Sequence, residues 1–282
     1  MSAKDIAEKL LEDYNDVFAD IVNTLLFDGK NIINAEDLTN TKDKSQYKTD
    51  DDELHEQERD VSKYWTKGKI KIALCGLENQ TNIDRDMPLR VISYDGASYK
   101  SQLLDKDITE RYPVITLVLY FGTREWNRPL SLYDCLEDVP EEIKPYLNDY
   151  KINLFQIAFL SDETVKKFKS DFGIVADFFV QKRKNNEYAP SNKQIKYVDA
   201  FLKLMKALTG EKDYVQANME GGVKSMCDVL QREKNKGRTE GLAEGETIGT
   251  IKTLSSYMEK TPEEIATIVN RPVEFVEEIL KR

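Results

Sequence analysis

Arg59-Asp60-Val61-Ser62-Lys63-Tyr64-Trp65, a Lys67-Gly68 turn signal, and then Lys69-Ile70-Lys71-Ile72-Ala73-Leu74-Cys75-Gly76-Leu77-Glu78-Asn79-Gln80 read as two strands joined by a tight connection. Alternate side chains of a strand share a face, so Glu78 and Gln80 point the same way. With a three-residue loop centred on Gly68, Asp60 falls across from Gly76 and diagonal to Glu78, about 7 to 8 Å away, within reach of one shared cation. A one-residue slip would send the two carboxylates to opposite faces. Glu78 ends an apolar run where Val or Ile would ordinarily continue, and a carboxylate placed there needs a partner.

Working outward, apolar residues at Ile6, Leu10, Val17, Ile21 and Leu25 keep a helical period, with Ser2 as a cap and Gly29 as the stop. From Asn31 to about Glu58 the chain is polar and charged, which predicts a mobile surface excursion at about 31–56. After the hairpin, Asp86 caps a helix with Pro88 in its first turn, running towards Leu103 and Leu104. Pro113 to Gly122 is a nearly all-apolar, β-branched run, the pattern of a strand buried on both faces and central in a sheet. A further strand is expected from Asn153 to Phe159, and a helix from Ser191 to Leu208. This order of helix, strands, helix, strands and helices suits an α/β sandwich over 1–210. A glycine-punctuated helical connector follows over 211–257, then a small helical hairpin over 258–282 opened by the capping box Thr261-Pro262-Glu263-Glu264.

The 282 residues, 40% hydrophobic, are enough for a substantial core. No apolar stretch approaches membrane-spanning length, so no membrane association is expected. Three dispersed cysteines fit neither a disulfide framework nor a zinc site, and with no signal peptide read at the N-terminus they predict a cytoplasmic protein. A net charge of −10 argues against a protein that coats polyanions non-specifically, while leaving room for a local basic groove.

Two or three oxygen ligands can hold a hard divalent cation that retains waters, acidifies an attacking water and neutralises phosphoryl oxygens. Asp60 and Glu78 are the expected ligands, with the backbone carbonyl of Asn79 as a third. The following helix carries Arg90, Tyr94, Asp95, Tyr99 and Gln102, the last three sharing a face at i, i+4 and i+7, and one of its faces is expected to line the site. Arg90 could bind a phosphate. Asp16 and Asp20 are read as a solvent-facing stripe, with Asp20 a minor metal candidate. His55 stands without a metal-ligand companion. Trp65, Tyr120 and Trp126 are read as core rather than base-stacking residues. Lys182, Arg183 and Lys184, with Lys193 and Lys196, could track a nucleic-acid backbone or form a solvated helix end.

Taken together, Arg59-Asp60-Val61, Gly76-Leu77-Glu78-Asn79-Gln80, Asp86-Met87-Pro88-Leu89-Arg90-Val91, Tyr94-Asp95 and Tyr112-Pro113-Val114-Ile115-Thr116 resemble the Rpn family of recombination-promoting nucleases, whose members are also labelled transposase-like. The resemblance implies a PD-(D/E)XK restriction-endonuclease-like core, a mixed sheet flanked by helices, followed by a helical C-terminal region. It implies a Mg²⁺-dependent DNA endonuclease, with Mn²⁺ or Ca²⁺ as possible replacements, linked to recombination, mobile elements or phage defence. Carried over by position, Asp60 matches the aspartate, Glu78 the glutamate, and Gln80 the place where the wider superfamily has lysine; glutamine is also found there in the nearer family. Glutamine can orient water or phosphate but brings no charge to the transition state, so weak activity is expected. The C-terminal helices are expected to support a homo-oligomer, their Glu263, Glu264, Glu274, Glu277 and Glu278 suiting self-association better than phosphate contact. The alternative is a nuclease-fold protein of little or no activity that acts as a DNA-binding or assembly module. A strand-joining transposase ranks last, for want of a third acid after the central strand.

Overall fold

The strands, in chain order, are β1 (Leu38–Asn40), β2 (Ser45–Lys48), β3 (Leu54–Gln57), β4 (Val61–Lys67), β5 (Ile70–Gln80), β6 (Val114–Tyr120) and β7 (Asn153–Gln156). Five of them make one mixed sheet in the order β1-β4-β5-β6-β7, and β2 and β3 pair as a separate antiparallel ribbon. The helices are α1 (Asn15–Phe27), α2 (Met87–Leu104), α3 (Leu132–Cys135), α4 (Asp162–Lys167), α5 (Phe172–Asn185), α6 (Val198–Thr209), α7 (Met226–Met258), α8 (Pro262–Val269) and α9 (Val273–Lys281). This computed structural model describes residues 11–41, 45–48, 54–57, 60–68, 70–106, 110–211, 214, 217 and 221–281. Ser2, Ile6 and Leu10 lie outside them.

The chain divides into two units, Met1–Met226 and Cys227–Arg282. In the first, β1, β4 and β5 are antiparallel neighbours, and β5, β6 and β7 are parallel. The apolar run of β6 lies between β5 and β7, with Leu117, Val118 and Leu119 fully buried. Each such side chain contributes about 1.5 to 3 kcal/mol by leaving water. Because β5 and β6 pair with even residues against even, Glu78, Val118 and Thr116 share one face of the sheet. Helix α2 covers that face: Met87 and Val91 pack with Val118, Tyr120 and Trp126. The Asp95 carboxylate accepts hydrogen bonds from the Thr116 hydroxyl at 2.6 Å and from the Tyr150 hydroxyl. Gly122 closes β6 because the Tyr120 ring lies across it, where any Cβ would collide with the phenol.

Several elements differ from the sequence reading. Residues 31–40, read as the start of a surface excursion, contain buried Ile33 and Leu38, and β1 forms the sheet edge against β4. The expected strand Asn153–Phe159 is strand only to Gln156 and then turns into a 3₁₀ helix. The helix expected from Ser191 begins at Val198: Gln194 bridges to Ser225, and the Asp171 carboxylate captures the N–H groups of Lys196 and Tyr197 in a bend ahead of the helix.

In the second unit, α8 opens with the Thr261 and Glu264 capping box, and α8 and α9 enclose a core of Ile251, Ile265, Ala266, Val276 and Ile279 with the end of α7. Upstream, α7 is a single helix of 33 residues with Gly237, Gly241, Gly245 and Gly249 at four-residue spacing, where an added Cβ would meet nothing within 4 Å.

Candidate active site

The geometry of the hairpin turns on a bulge. At its tip Lys67 pairs with Ile70 and Thr66 with Lys71 across a two-residue turn at Gly68, whose φ of +62° is the left-handed region that glycine tolerates. Continued unchanged, that register would set Asp60 against Leu77, on the face opposite Glu78. Between Trp65 and Thr66 the register shifts: Trp65 pairs with Ala73, leaving Ile72 as the extra residue, and the ladder then runs to Val61 against Leu77. Asp60 is a bend residue one position beyond that ladder, and the same register carried one step further sets it level with Glu78. This corrects the expected placement of Asp60 across from Gly76 by two residues, and because two is even the carboxylates keep a common face.

Asp60 stands just ahead of β4, and its Oδ2 accepts the backbone N–H of Asn79 at 2.7 Å. Its carboxylate is therefore fixed against the peptide that follows Glu78. In an extended strand the N–H and C=O of one residue point to the same side, which turns the Asn79 carbonyl towards Asp60 as well.

Glu78 is 3% exposed. Its Oε1 takes Arg90 Nη2 at 2.5 Å and the Tyr94 hydroxyl at 3.3 Å, both from α2. Arg90 is in turn held at Nη1 by Asp84 Oδ2, 2.9 Å away in the loop before the helix. Burial, and after it the Glu78 charge, push the Tyr94 phenol above its ordinary value of 10, so it remains a protonated donor. Gln80 is half-buried one step further along the same face, level with Tyr120 of β6, and its carbonyl accepts Phe121 N–H at 2.8 Å.

Arg90 and Tyr94 thus meet Glu78, while Tyr99 and Gln102 serve the other end of α2. The Tyr99 hydroxyl accepts Val114 N–H at 3.1 Å. Fully buried Gln102 clamps the Tyr112 peptide, its Nε2 donating to the carbonyl and its Oε1 accepting the N–H, each at 3.0 Å. Val114 lies four residues before Val118, the partner of Glu78, about 13 Å along the strand.

The opposite face of β5 holds a residue that sequence reasoning passed over. Asn79 Nδ2 donates to Glu12 Oε2 at 2.8 Å, and Glu12 is fully buried. Asn79 Oδ1 is buried with no hydrogen-bond partner among the described residues. Glu12 precedes a turn at Asp13 and Tyr14 that interrupts the expected first helix. Next to it, Asp13 Oδ1 receives Nζ of the fully buried Lys63 at 3.0 Å. Asp16 pairs with Lys196 at 2.6 Å and with the Tyr197 hydroxyl at 2.9 Å, whereas Asp20, expected to face solvent, is buried because it accepts the N–H groups of Lys169 and Ser170.

The basic cluster is engaged locally as well: Lys184 with Asp162, Arg183 with the Ala158 carbonyl and the Phe159 ring, and Lys193 with the Ser170 carbonyl. Tyr120 and Trp126 are core, in edge contact at 5.1 Å. His55 lies in β3, and its side chain is outside what is described.

For a hard divalent ion, the donor set at Asp60, Glu78 and the Asn79 carbonyl is all oxygen, the chemistry such an ion prefers. No group of three His, Cys, Asp or Glu able to hold a metal occurs among the described residues. Protein ligation here would rest on two carboxylates and a carbonyl, which suits an ion that keeps several waters. Among the described residues no helix is long and apolar enough to cross a membrane.

Comparisons with curated proteins and with solved structures return no match. A family model does match: residues 37–213, more than half of the chain and including β1 to β7 and α2 to α6, fit the family described as "Putative transposase, YhgA-like". The mixed sheet, the Asp60, Glu78 and Arg90 cluster and the motifs around them all fall inside that match, and the protein belongs to this transposase-like family.

Proposed function

We propose that this protein is a divalent-metal-dependent DNA endonuclease of PD-(D/E)XK type, with Asp60 and Glu78 as metal ligands, the Asn79 carbonyl as a third oxygen and Gln80 as the group that orients water or phosphate. The observation that carries this reading is the bulged register that brings Asp60 level with Glu78, with the Asp60 carboxylate seated on the Asn79 N–H. The order of β1, β4, β5, α2 and β6 around that hairpin supports it, as does membership in a transposase-like family.

A bound Mg²⁺ would supply an acidified water and charge neutralisation at the phosphodiester. The remaining work falls to the chain. The bond from Asn79 N–H fixes the rotamer of Asp60. Burial between β5 and α2 fixes Glu78. The Gln80 amide can donate to a phosphate oxygen or accept from the attacking water. Lacking a lysine at this position, the site offers less electrostatic stabilisation to the transition state, and turnover is expected to be slow.

One observation favours a second reading, a binding or assembly protein in which the acids are structural. Glu78 is nearly inaccessible and already ion-paired to Arg90. Plasmid cleavage with Mg²⁺, Mn²⁺ or Ca²⁺, run beside folded Asp60→Ala and Glu78→Gln variants, separates the two. Nicking that requires metal and disappears in both variants supports the nuclease. Absence of cleavage with every metal supports the second reading, and cleavage unchanged in both variants refutes the assignment of these residues. A strand-joining transposase is disfavoured by the lack of a third acid in the cluster among the described residues.

A further inference from the structure

We infer that Arg90 is a resident counter-cation of Glu78, and that its guanidinium and an incoming divalent metal ion compete for that carboxylate. The inference rests on the metal-centre reading above. A carboxylate as buried as Glu78 requires compensation. Arg90 Nη2 supplies it at 2.5 Å, from the same side of β5 that Asp60 is brought to face. A metal ion taking either oxygen of Glu78 would set a second positive charge against the same buried carboxylate, and in a poorly solvated site the repulsion between the two cations weakens both contacts.

Arg90 is equipped to leave. Its side chain is 38% exposed, and its other nitrogen, Nη1, is held by Asp84, which is itself 28% exposed. Displaced from Glu78, the guanidinium keeps its Asp84 tether at Nη1, while Nη2, whose other partner is the Tyr94 hydroxyl at 3.3 Å, becomes available to a phosphate, which a planar fork suits. Arg90 is thus a positioning residue with two stations: it stabilises Glu78 when the metal is away and turns to substrate when the metal is present. The fully formed site would then need metal and nucleic acid together, which restrains cleavage by the resting protein.

The test measures metal binding rather than cleavage, with Mn²⁺ as the probe followed by its electron paramagnetic resonance signal, on the full chain. Arg90→Gln is expected to bind Mn²⁺ about 10- to 100-fold more tightly than the parent, the range over which groups bonded to metal ligands alter affinity. Glu78→Gln should abolish that site in either background. In the unaltered protein, modification of Arg90 by phenylglyoxal, located by mass spectrometry, should accelerate when Mn²⁺ is added. This second measurement decides the matter if Arg90→Gln fails to fold. Equal Mn²⁺ affinity with and without Arg90, or Arg90 labelling indifferent to Mn²⁺, overturns the competition while leaving the metal centre standing. Mn²⁺ bound by neither protein overturns the metal centre itself, and the competition with it.

Discussion

Replacing Asp13 by alanine is expected to destabilise the protein more than replacing Lys63 by methionine, although Asp13 is the exposed partner of the pair. The Lys63 side chain is 0% exposed and that of Asp13 is 54% exposed. The Lys63 ammonium lies 3.0 Å from Asp13 Oδ1 and 2.5 Å from Asn40 Oδ1, with the Phe18 ring centroid at 5.9 Å. In Asp13→Ala the ammonium stays buried with an amide oxygen and a ring face but no counter-charge here, an arrangement that costs about 3–5 kcal/mol. In Lys63→Met the stranded groups are a half-exposed carboxylate and the exposed Asn40, both open to water, and methionine refills the volume of the stem. That loss should be about 1–2 kcal/mol. The double variant should fall within about 1 kcal/mol of Lys63→Met alone, because the damage done by losing Asp13 requires the lysine. Urea unfolding at constant m-value, read as a shift in midpoint, resolves these differences. Asp13→Ala proving milder than Lys63→Met, or a double variant as unstable as the sum of the singles, would refute the reasoning.

Two further predictions concern residues away from the carboxylate pair. For Asp16, burial opposes ionisation, but the hydrogen bonds from Lys196 and Tyr197 and the Lys196 charge outweigh it and hold the carboxyl below its ordinary 3.8. A lowered folded value means that the stabilisation is complete above 3.8 and is lost as pH falls through the folded value. Asp16→Asn should therefore melt earlier than the parent at pH 7, with the gap closing in acid; a gap that persists at low pH would contradict the assignment. Gln102→Ala leaves a buried N–H and C=O of Tyr112 without their amide partner, a loss of about 1–3 kcal/mol for each group. Its melting temperature should fall at unchanged KM for DNA, whereas a raised KM at unchanged stability would return Gln102 to the substrate surface.

The hairpin, the buried β6 and the start of α2 were legible because each rests on local pattern: alternation, a β-branched run, and Pro88 in a first helical turn; the expected cap is not made, since the Asp86 side chain accepts no N–H of that turn and Asp84 Oδ1 instead takes the Asp86 N–H at 2.9 Å. The common face of Asp60 and Glu78 was legible too, but not their alignment, since nothing in Trp65-Thr66 or Ile72 announces where a ladder will bulge. Long-range partners explain the other differences. Leu38 becomes an anchor only once β4 offers an edge and Ile33 once the Asn23 side chain takes its N–H and C=O, and Asp171 holds Lys196 and Tyr197 in a bend from 25 and 26 residues away in sequence. The face shared by Asp95, Tyr99 and Gln102 was read correctly as a face, yet periodicity cannot say which end of a helix lies over a carboxylate. Glu12 was passed over and Asp20 misjudged for a similar reason: what buries them is Asn79 for the one and the Lys169 and Ser170 peptides for the other, all distant in sequence.

The glycines of α7 bear on how that helix behaves as a material. Each costs about 0.8–1 kcal/mol against alanine within a helix, so the four together forgo about 3–4 kcal/mol. Around them, residues 234–239 and 241–246 are exposed, apart from Glu240 outside what is described, so tertiary packing returns little of that loss. A rod of 33 residues, about 50 Å long, is thereby given a soft middle and firmer ends. Under load or mild heat this stretch should yield first, a mechanical fuse written into the chain at every fourth residue.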